Sequence, residues 1–403
     1  MPAVPWPFLF LFVGVVSILL TLNARWPARR GVLIAPSFFA AWLTAELTLF
    51  HLGFQVVATA FFVQMAGVSS WPAQLGFGLS ALSCLGLGWM TVESLRARAV
   101  VDGALEELRL ASQAERETLP LTSLALPFWL RDPKVERVGN LRYGPYGSRN
   151  LLDVYRPRAG VTNAPVILQI HGGAWILGDK RQQGLPLVLH MAKKGFVCVA
   201  INYRLSPRSR FPDHLVDCKR ALAWIRENIA QYGGDPSRII VTGGSAGGHL
   251  AALVALTAND PRYQPGFEEV DTSVRACVPV YAPYDLAALF GNRRGQEQAI
   301  VERLARWVMG ATADEAPEAY QAASPLAQVH EDAPPFFVIH GTHDNLVPVA
   351  QARRFVETLR ERTTASVAYV ELAGAPHAFD VFHSLRTTTV VRSIERFATW
   401  AAK

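Results

Sequence analysis

The hydrophobic positions divide the chain into two parts. Residues 1–92 consist mostly of apolar runs, at Pro7–Leu22, Val32–Met65 and Ala73–Val92. The first and third runs are uncharged, and the second is broken only by Glu46 and His51. Each run is near or above the length of about 20 residues that spans a bilayer core. After residue 130, short apolar runs alternate with amphipathic stretches. The pattern therefore predicts an all-α transmembrane region over residues 1–92 and a globular domain over residues 131–403.

The middle run decides the number of membrane spans. Its length fits one tilted helix or two shorter helices with a hinge near His51-Leu52-Gly53. With three spans, the arginines of residues 25–30 and those of residues 96–98 lie on the same side, which the positive-inside rule makes cytoplasmic. A fourth span would place the globular domain outside. We expect about three helices, a multi-pass membrane location and a cytoplasmic globular domain.

Residues 93–130 form a predicted linker. From Glu93 to about Glu117 the composition is rich in Ala, Leu, Glu and Arg, which is typical of a helix that continues out of the membrane, and Pro120 ends it. The apolar stretch Leu121–Leu130 is too short to span a bilayer. We expect it to lie at the membrane interface or against the globular domain.

The globular domain shows the periodicity of an α/β fold. Predicted strands are Leu151–Tyr155, Val166–Ile170, Val197–Ile201, Ile239–Thr242, Ala276–Tyr281, Phe336–Ile339 and Ser366–Leu372. Predicted helices are Leu185–Lys194, Leu215–Tyr232, His249–Thr257, Val349–Arg362 and Thr387–Ala401. This alternation predicts a mostly parallel sheet with helices on both faces. The long interruption at residues 286–333 is the best candidate for an inserted helical cap.

Charge and cysteine content exclude several classes of function. The formal net charge of the chain is +6, and the globular part is only mildly basic. This balance gives no support for a nucleic-acid partner and suits a position beside anionic lipid headgroups. The four cysteines are scattered without a Cys-x-x-Cys pair, so neither a zinc site nor a disulfide framework is indicated.

A serine between two glycines is the strongest chemical signal. Gly243-Gly244-Ser245-Ala246-Gly247 lies between an apolar strand and an Ala/Leu-rich helix, which is the pattern of a nucleophile elbow. A phosphate-binding loop would carry Lys and then Ser or Thr after the last glycine, whereas His249 follows Gly248. No register of these glycines gives a dinucleotide fingerprint. Taken alone, the motif also fits an ordinary structural turn.

A second glycine motif ends an earlier strand. His171-Gly172-Gly173-Ala174-Trp175 follows the apolar run Val166–Ile170. Adjacent glycines leave backbone N–H groups free to point at a ligand, and an acyl-transfer nucleophile needs such donors for the developing oxyanion. The alternative is an ordinary glycine turn after a strand.

An acid and a histidine follow later strands. Asp344 comes after the run Phe336–Ile339, and His377 comes after Ser366–Leu372. The order Ser245, Asp344, His377 is that of the catalytic triad on this type of sheet. Asp285 or Asp380 could replace Asp344 as the acid. His340 and His343 could suggest a metal beside Asp344, but a metal would compete for the carboxylate that the triad needs.

Several motifs in this order resemble one enzyme family. They are the residues 171–175, Asn202-Tyr203-Arg204, Tyr232-Gly233-Gly234-Asp235-Pro236, residues 243–248, and the segments around Asp344 and His377. Together they resemble α/β-hydrolase esterases, in the branch of hormone-sensitive-lipase-like esterases, kynurenine formamidases and isoprenylcysteine methylesterases. The resemblance covers roughly residues 130–400.

The resemblance implies a role for each site residue. Ser245 would be the nucleophile, His377 the general base and then acid, and Asp344 the group that orients His377. The backbone N–H groups of Gly172, Gly173 and Ala246 would form the oxyanion hole. Ala174 departs from the lipase-like pattern, which has a third glycine there, and is closer to the formamidase and methylesterase variants.

The sequence thus predicts a membrane-anchored serine hydrolase for a lipophilic carboxylic ester. It would act through an acyl-enzyme and require no metal or organic cofactor. Its partners would be a small-molecule ester and the lipid bilayer. An aryl-formamidase-type amidase on the same fold and an inactive membrane-tethered binding protein are the alternatives.

Overall fold

The computed structural model describes residues 4–29, 31–108, 110, 121–291 and 296–403. The predicted helix end at Glu117 and Pro120 and the basic residue Arg30 lie outside the described residues, as do residues 292–295 of the predicted cap.

Four helices form the N-terminal region: α1 (Trp6–Arg25), α2 (Ile34–Glu46), α3 (Thr48–Ala66) and α4 (Trp71–Glu106). Three of them, α1, α3 and α4, are long and apolar enough to cross a membrane. The run Val32–Met65 breaks into two helices at Leu47 rather than near His51. Because α2 has only 13 residues, this run contributes one helix of membrane-spanning length.

Helices α1 and α4 run side by side in the same direction. Gly76 meets the backbone of α1 so closely that a Cβ there would lie 2.7 Å from the carbonyl carbon of Phe10. Further along the pair, the Thr21 and Ser83 hydroxyls are 2.8 Å apart. Helix α3 runs the opposite way, because Phe62 near its end stacks on Phe10 near the start of α1. The C-terminal end of α1 and the charged segment of α4 therefore lie at the same end of the three-helix group.

Helix α4 continues without a break into the globular domain. Its residues Ala97, Val101 and Leu105 are buried in the same apolar cluster as Val391 and Ile394. The last turns of α4 are therefore part of the globular domain's packing as well as the continuation of a membrane-length helix. The composition after Glu93 predicted this extension as far as the described residues reach.

The globular domain contains eight strands and nine helices among the described residues after α4. The strands are β1 (Val135–Arg142), β2 (Leu151–Pro157), β3 (Ala164–Ile170), β4 (Val197–Ile201), β5 (Gly234–Gly244), β6 (Ala276–Val280), β7 (Phe336–Gly341) and β8 (Val367–Leu372). The helices are α5 (Leu121–Ala125), α6 (Leu185–Lys193), α7 (Asp213–Asn228), α8 (Ala246–Leu256), α9 (Leu286–Phe290), α10 (Gln296–Met309), α11 (Pro317–Ala322), α12 (Val349–Arg362) and α13 (Leu385–Ala401).

One sheet organises this domain, in the strand order β1-β2-β4-β3-β5-β6-β7-β8. Strands β3 to β8 are parallel, and β1 and β2 add an antiparallel edge. Apolar clusters lie on both faces. The predicted α/β class is confirmed. Strand β1 was missed because, at the edge of the sheet, it buries only Val135 fully and so shows little apolar alternation.

The segment between β6 and β7 contains α9, α10 and α11 and no strand among its described residues. It corresponds to the interruption at residues 286–333. Phe290 of α9 packs against Trp175 with ring centroids 6.2 Å apart, which places α9 over the loop that follows β3.

Two apolar segments before β1 contact the first turn of α13 or the residues just before it. The Phe128 ring lies 5.0 Å from the Phe382 ring, and the carbonyl of Pro127 accepts from the His383 N–H. The stretch Leu121–Leu130 thus covers part of the globular domain. From α2, the buried carboxylate of Glu46 pairs with the buried guanidinium of Arg386.

We predict that Glu46→Gln destabilises the whole chain. The exchange leaves the Arg386 charge buried without its partner, which costs on the order of 3 kcal/mol of unfolding free energy. The midpoint of thermal unfolding in detergent should fall. The double variant Glu46→Gln/Arg386→Met removes the uncompensated charge and should recover much of the loss. Equal midpoints for the wild type and Glu46→Gln would show that this ion pair does not couple the two regions.

Candidate active site

Ser245 lies on a strained turn between β5 and α8. Its φ of 57° and ψ of −126° place it in a backbone conformation that side-chain-bearing residues rarely adopt. Its N–H donates to the carbonyl of Val280 at the end of β6. This geometry is the elbow that the sequence motif predicted, and it holds the hydroxyl at the carboxyl edge of the sheet.

The flanking glycines are required by close backbone contacts. A Cβ on Gly247 would lie 2.1 Å from the carbonyl oxygen of Ile170, and one on Gly243 would lie 2.5 Å from the carbonyl carbon of Gly247. Real Cβ atoms do not approach backbone this closely. The turn can therefore press against the end of β3 only with glycine at both positions.

The three predicted polar side chains form one hydrogen-bonded chain. The Nε2 atom of His377 lies 2.8 Å from the Ser245 hydroxyl, and its Nδ1 atom lies 2.6 Å from Oδ2 of Asp344. The loops that carry them follow β5, β7 and β8, whose carboxyl ends share one edge of the parallel sheet. Folding brings together residues that are far apart in the sequence.

The surroundings of Asp344 favour its ionised form. Burial alone would raise the pKa of this carboxyl, but the charge of His377 and hydrogen bonds from His340 and His377 outweigh burial and hold the pKa below its usual value. Its other oxygen accepts the N–H groups of Leu346 and Val347, at 2.9 and 2.8 Å. A carboxylate fixed in this way can orient His377 and stabilise a positive charge on it.

The other acidic candidates have different partners. Asp380 accepts the hydroxyl of Tyr281, and Asp285 accepts the Ala288 N–H at the start of α9. Neither is bonded to His377. His343 points away from Asp344, and its Nε2 accepts from the guanidinium of Arg25.

The loop after β3 lies beside Ser245, and a Cβ on Gly172 would be 3.1 Å from the Ser245 Cβ. The Gly172 N–H already donates to Oε1 of Gln183 at 2.7 Å, which corrects the expectation that Gly172 supplies an oxyanion donor. The N–H groups of Gly173, Ala174 and Ala246 have no acceptor within the described part of the chain. Ala174 has a φ of 50°, so the loop turns sharply at this residue.

Trp175 fixes the loop after β3 through hydrogen bonds on its buried side. Its indole N–H donates to Nδ1 of His249, 3.3 Å away, and Nε2 of His249 donates to the carbonyl of Ala323. Burial lowers the pKa of His249 to about 4, so the imidazole is neutral and can accept from the indole at neutral pH. No local sequence pattern predicts this support, because its members lie in three separate segments of the chain.

The N-terminal region also reaches the loops that carry Asp344 and His377. The indole N–H of Trp42 in α2 donates to the carbonyl of Ala378 at 2.8 Å, and the Phe38 ring lies 6.2 Å from the His377 ring. On the other side, Asn345 donates to the carbonyl of Ala28 at 2.9 Å. Sequence reasoning treated residues 1–92 as an anchor and missed these contacts, for which no local pattern gives a signal.

A cavity of about 360 Å³ opens beside Ser245 and His377. This volume is within the range of small-molecule sites. Its walls come from the loop of Ala174 and Trp175, from α9 and α10, from the loop at residues 345–347, and from four residues before and within α2, Gly31, Val32, Ile34 and Ala35. The site is therefore bordered by both parts of the chain.

The fold and the site together define an α/β-hydrolase. The fold is similar to that of many solved structures. Two of them are a truncated carbohydrate esterase from gut microbiota (TM-score 0.57, 25% identity) and the butyrate-bound esterase 2 of Thermogutta terrifontis (TM-score 0.55, 26% identity). Each comparison covers 66% of this chain, and they cover 96% and 94% of the respective esterase chains.

Residues 152–359 match the BD-FAE family, and the chain belongs to this family. It is 41% identical to the probable carboxylic ester hydrolase LipM of Mycobacterium tuberculosis, over 96% of this chain and 92% of LipM. It is 48% identical to the esterase LipQ of the same organism, over 65% of this chain and 62% of LipQ. A probable isoprenylcysteine alpha-carbonyl methylesterase of rice is 31% identical over 53% of this chain and 51% of its own length. The protein is a carboxylic ester hydrolase.

We predict that Asp344→Asn lowers kcat for ester hydrolysis by about 10⁴-fold, because the amide would favour the wrong tautomer of His377. Asp380→Asn is the matched control, since an amide oxygen can still accept the Tyr281 hydroxyl, and its kcat should stay close to that of the wild type. Steady-state rates of both variants on one p-nitrophenyl ester make the comparison. A larger loss in Asp380→Asn than in Asp344→Asn would assign the acid to Asp380.

Proposed function

We propose that this chain is a membrane-anchored serine hydrolase that cleaves lipophilic carboxylic esters through an acyl-enzyme intermediate. The observation that carries the proposal is the unbroken hydrogen-bonded chain of Ser245, His377 and Asp344 beside an apolar cavity. The ester hydrolase relatives support the type of reaction.

In the acylation step, Nε2 of His377 accepts the proton of the Ser245 hydroxyl as Oγ attacks the ester carbonyl carbon. The carbonyl oxygen becomes negatively charged and is stabilised by the N–H groups of Gly173, Ala174 and Ala246. The tetrahedral intermediate then expels the alcohol, which takes the proton from His377. Ser245 is left as an acyl ester.

In the deacylation step, water replaces the alcohol. His377 removes a proton from the water as its oxygen attacks the acyl carbon, and the same backbone donors stabilise the second tetrahedral intermediate. The proton returns to Oγ of Ser245, and the carboxylic acid is released. Asp344 remains ionised throughout and stabilises the imidazolium form of His377. No metal or organic cofactor takes part in this scheme.

Anchoring in the lipid bilayer is supported by three helices of membrane-spanning length and by their packing. Arg25 at the end of α1 lies 3.9 Å from Glu93 of α4, close to the arginines at residues 96–98. Basic residues are enriched on the cytoplasmic side of membrane proteins. The proposed arrangement is therefore a multi-pass protein with its catalytic domain in the cytoplasm.

The nucleophile is tested with Ser245→Ala. Removing the hydroxyl should lower kcat for a p-nitrophenyl ester by at least about 10⁴-fold, because no acyl-enzyme can form. A fluorophosphonate probe should label the wild-type chain at Ser245 and leave the variant unlabelled. Peptide mapping of the modified residue gives the readout.

Ser148→Ala serves as the control, since this serine is exposed and its side chain lies outside the site. It should keep wild-type activity and labelling. Unchanged ester hydrolysis in Ser245→Ala would contradict the proposed mechanism. Faster turnover of aryl formamides than of the matched esters would favour the amidase alternative.

The topology is tested with cysteines introduced one at a time into a full chain whose four own cysteines have been replaced by alanine. Cysteines that replace Ser148 and Arg29 should be blocked by a membrane-impermeant maleimide only after the cells are opened, because both lie on the cytoplasmic side in the proposed arrangement. A cysteine that replaces Ser69, between α3 and α4, should react in intact cells. The reverse pattern would place the catalytic domain outside.

A further inference from the structure

The wall of the active-site cavity is shared between the two parts of the chain. Gly31, Val32, Ile34 and Ala35 line it together with Ser245. These four residues belong to the loop after α1 and to the first turn of α2, within the region that the sequence assigns to the membrane. A separate anchor would leave the cavity complete without them.

Contacts on α2 fix this wall relative to the catalytic side chains. Trp42 is hydrogen-bonded to the residue after His377, and Phe38 packs edge-on against the His377 ring. At the far end of α2, the Glu46 carboxylate accepts the Ser384 hydroxyl at 2.7 Å and pairs with Arg386. The helix that carries part of the wall is therefore held by contacts at its middle and at its C-terminal end.

The opposite wall consists of aliphatic and aromatic side chains of the segment between β6 and β7. They include Leu289, Phe290, Val301 and Leu304. The polar side chains among the described lining residues are Ser245, His377 and Asn345. A cavity with this lining binds aliphatic groups and gives a charged or sugar-like group few hydrogen-bond partners.

The rim of the cavity exposes apolar side chains from both walls. Val32 and Ile300 line the cavity and are 67% and 62% exposed, and Leu33 beside Val32 is 63% exposed. An exposed apolar patch at the base of membrane-length helices fits the boundary between lipid and water. An aliphatic chain can pass from lipid to this rim with little contact with water.

From these observations we infer that Val32, Ile34 and Ala35 form part of the acyl-binding site and select esters with an aliphatic acyl chain taken from the bilayer. This inference rests on the proposed function, since it assumes acylation of Ser245. Val32, Ile34 and Ala35 are specificity-determining residues in this assignment. The N-terminal region is then a component of the substrate site as well as an anchor.

The experiment compares p-nitrophenyl acetate with p-nitrophenyl octanoate on the full chain in lipid nanodiscs. Ala35→Trp fills the cavity from the α2 side and should lower kcat/KM for the octanoate by about tenfold or more, since several methylene contacts are lost. The acetate rate should fall less than the octanoate rate, and the fluorophosphonate probe should still label Ser245. Val32→Ser, at an exposed position, should lower the octanoate preference in the same direction and by less.

Leu33→Trp is the matched control, because it adds an indole beside the wall at a residue that does not line the cavity. Its octanoate-to-acetate ratio should equal that of the wild type.

Unchanged ratios in both Ala35→Trp and Val32→Ser, with Ser245 still labelled, would overturn the acyl-site assignment and leave the serine mechanism intact. A selective loss for octyl acetate against ethyl acetate would assign this wall to the alcohol portion instead. Absence of labelling in the wild type would contradict the proposed function itself.

Discussion

The contact between the turn at Ser245 and the end of β3 is the constraint on which the site depends. A glycine at residue 247 lets the start of α8 approach the carbonyl of Ile170, where a Cβ would lie 2.1 Å away. This approach forces Ser245 into a positive φ and brings its hydroxyl beside the loop of residues 171–175. The strain is tolerated because β5 is held on both sides by β3 and β6.

The parallel sheet supplies the second requirement, which is to bring distant residues to one edge. The loops after β5, β7 and β8 meet there, so a hydroxyl, a carboxylate and an imidazole can form one hydrogen-bonded chain. The sheet determines only at which edge the loops meet. The conformation of each loop determines which side chains form hydrogen bonds with each other. Asp344 faces His377 because two backbone N–H groups hold its other oxygen, whereas Asp380 in the histidine's own loop turns to Tyr281.

The N-terminal region and the hydrolase domain contact each other at several places among the described residues. Helix α4 runs from a membrane-length segment into the apolar cluster that contains α13. Helix α2 bonds to the loop of His377 through Trp42, and the loop after α1 accepts from Asn345 beside Asp344. A substitution in residues 25–46 can therefore alter ester hydrolysis without touching the catalytic side chains, through the positions of the two loops.

The sequence by itself determined the features that depend on local patterns. Apolar runs predicted the membrane-length helices, and the alternation of strands and helices predicted the α/β class. Gly-x-Ser-x-Gly predicted the nucleophile elbow. Each of these features is encoded by residues that are close together in the chain. Tertiary structure decided the break at Leu47, the engagement of the Gly172 N–H by Gln183, the acid that faces His377 and the place of α2 at the cavity. All four features depend on contacts between segments that are distant in the sequence. Neither hydrophobic periodicity nor motif spacing shows which of these segments will be in contact.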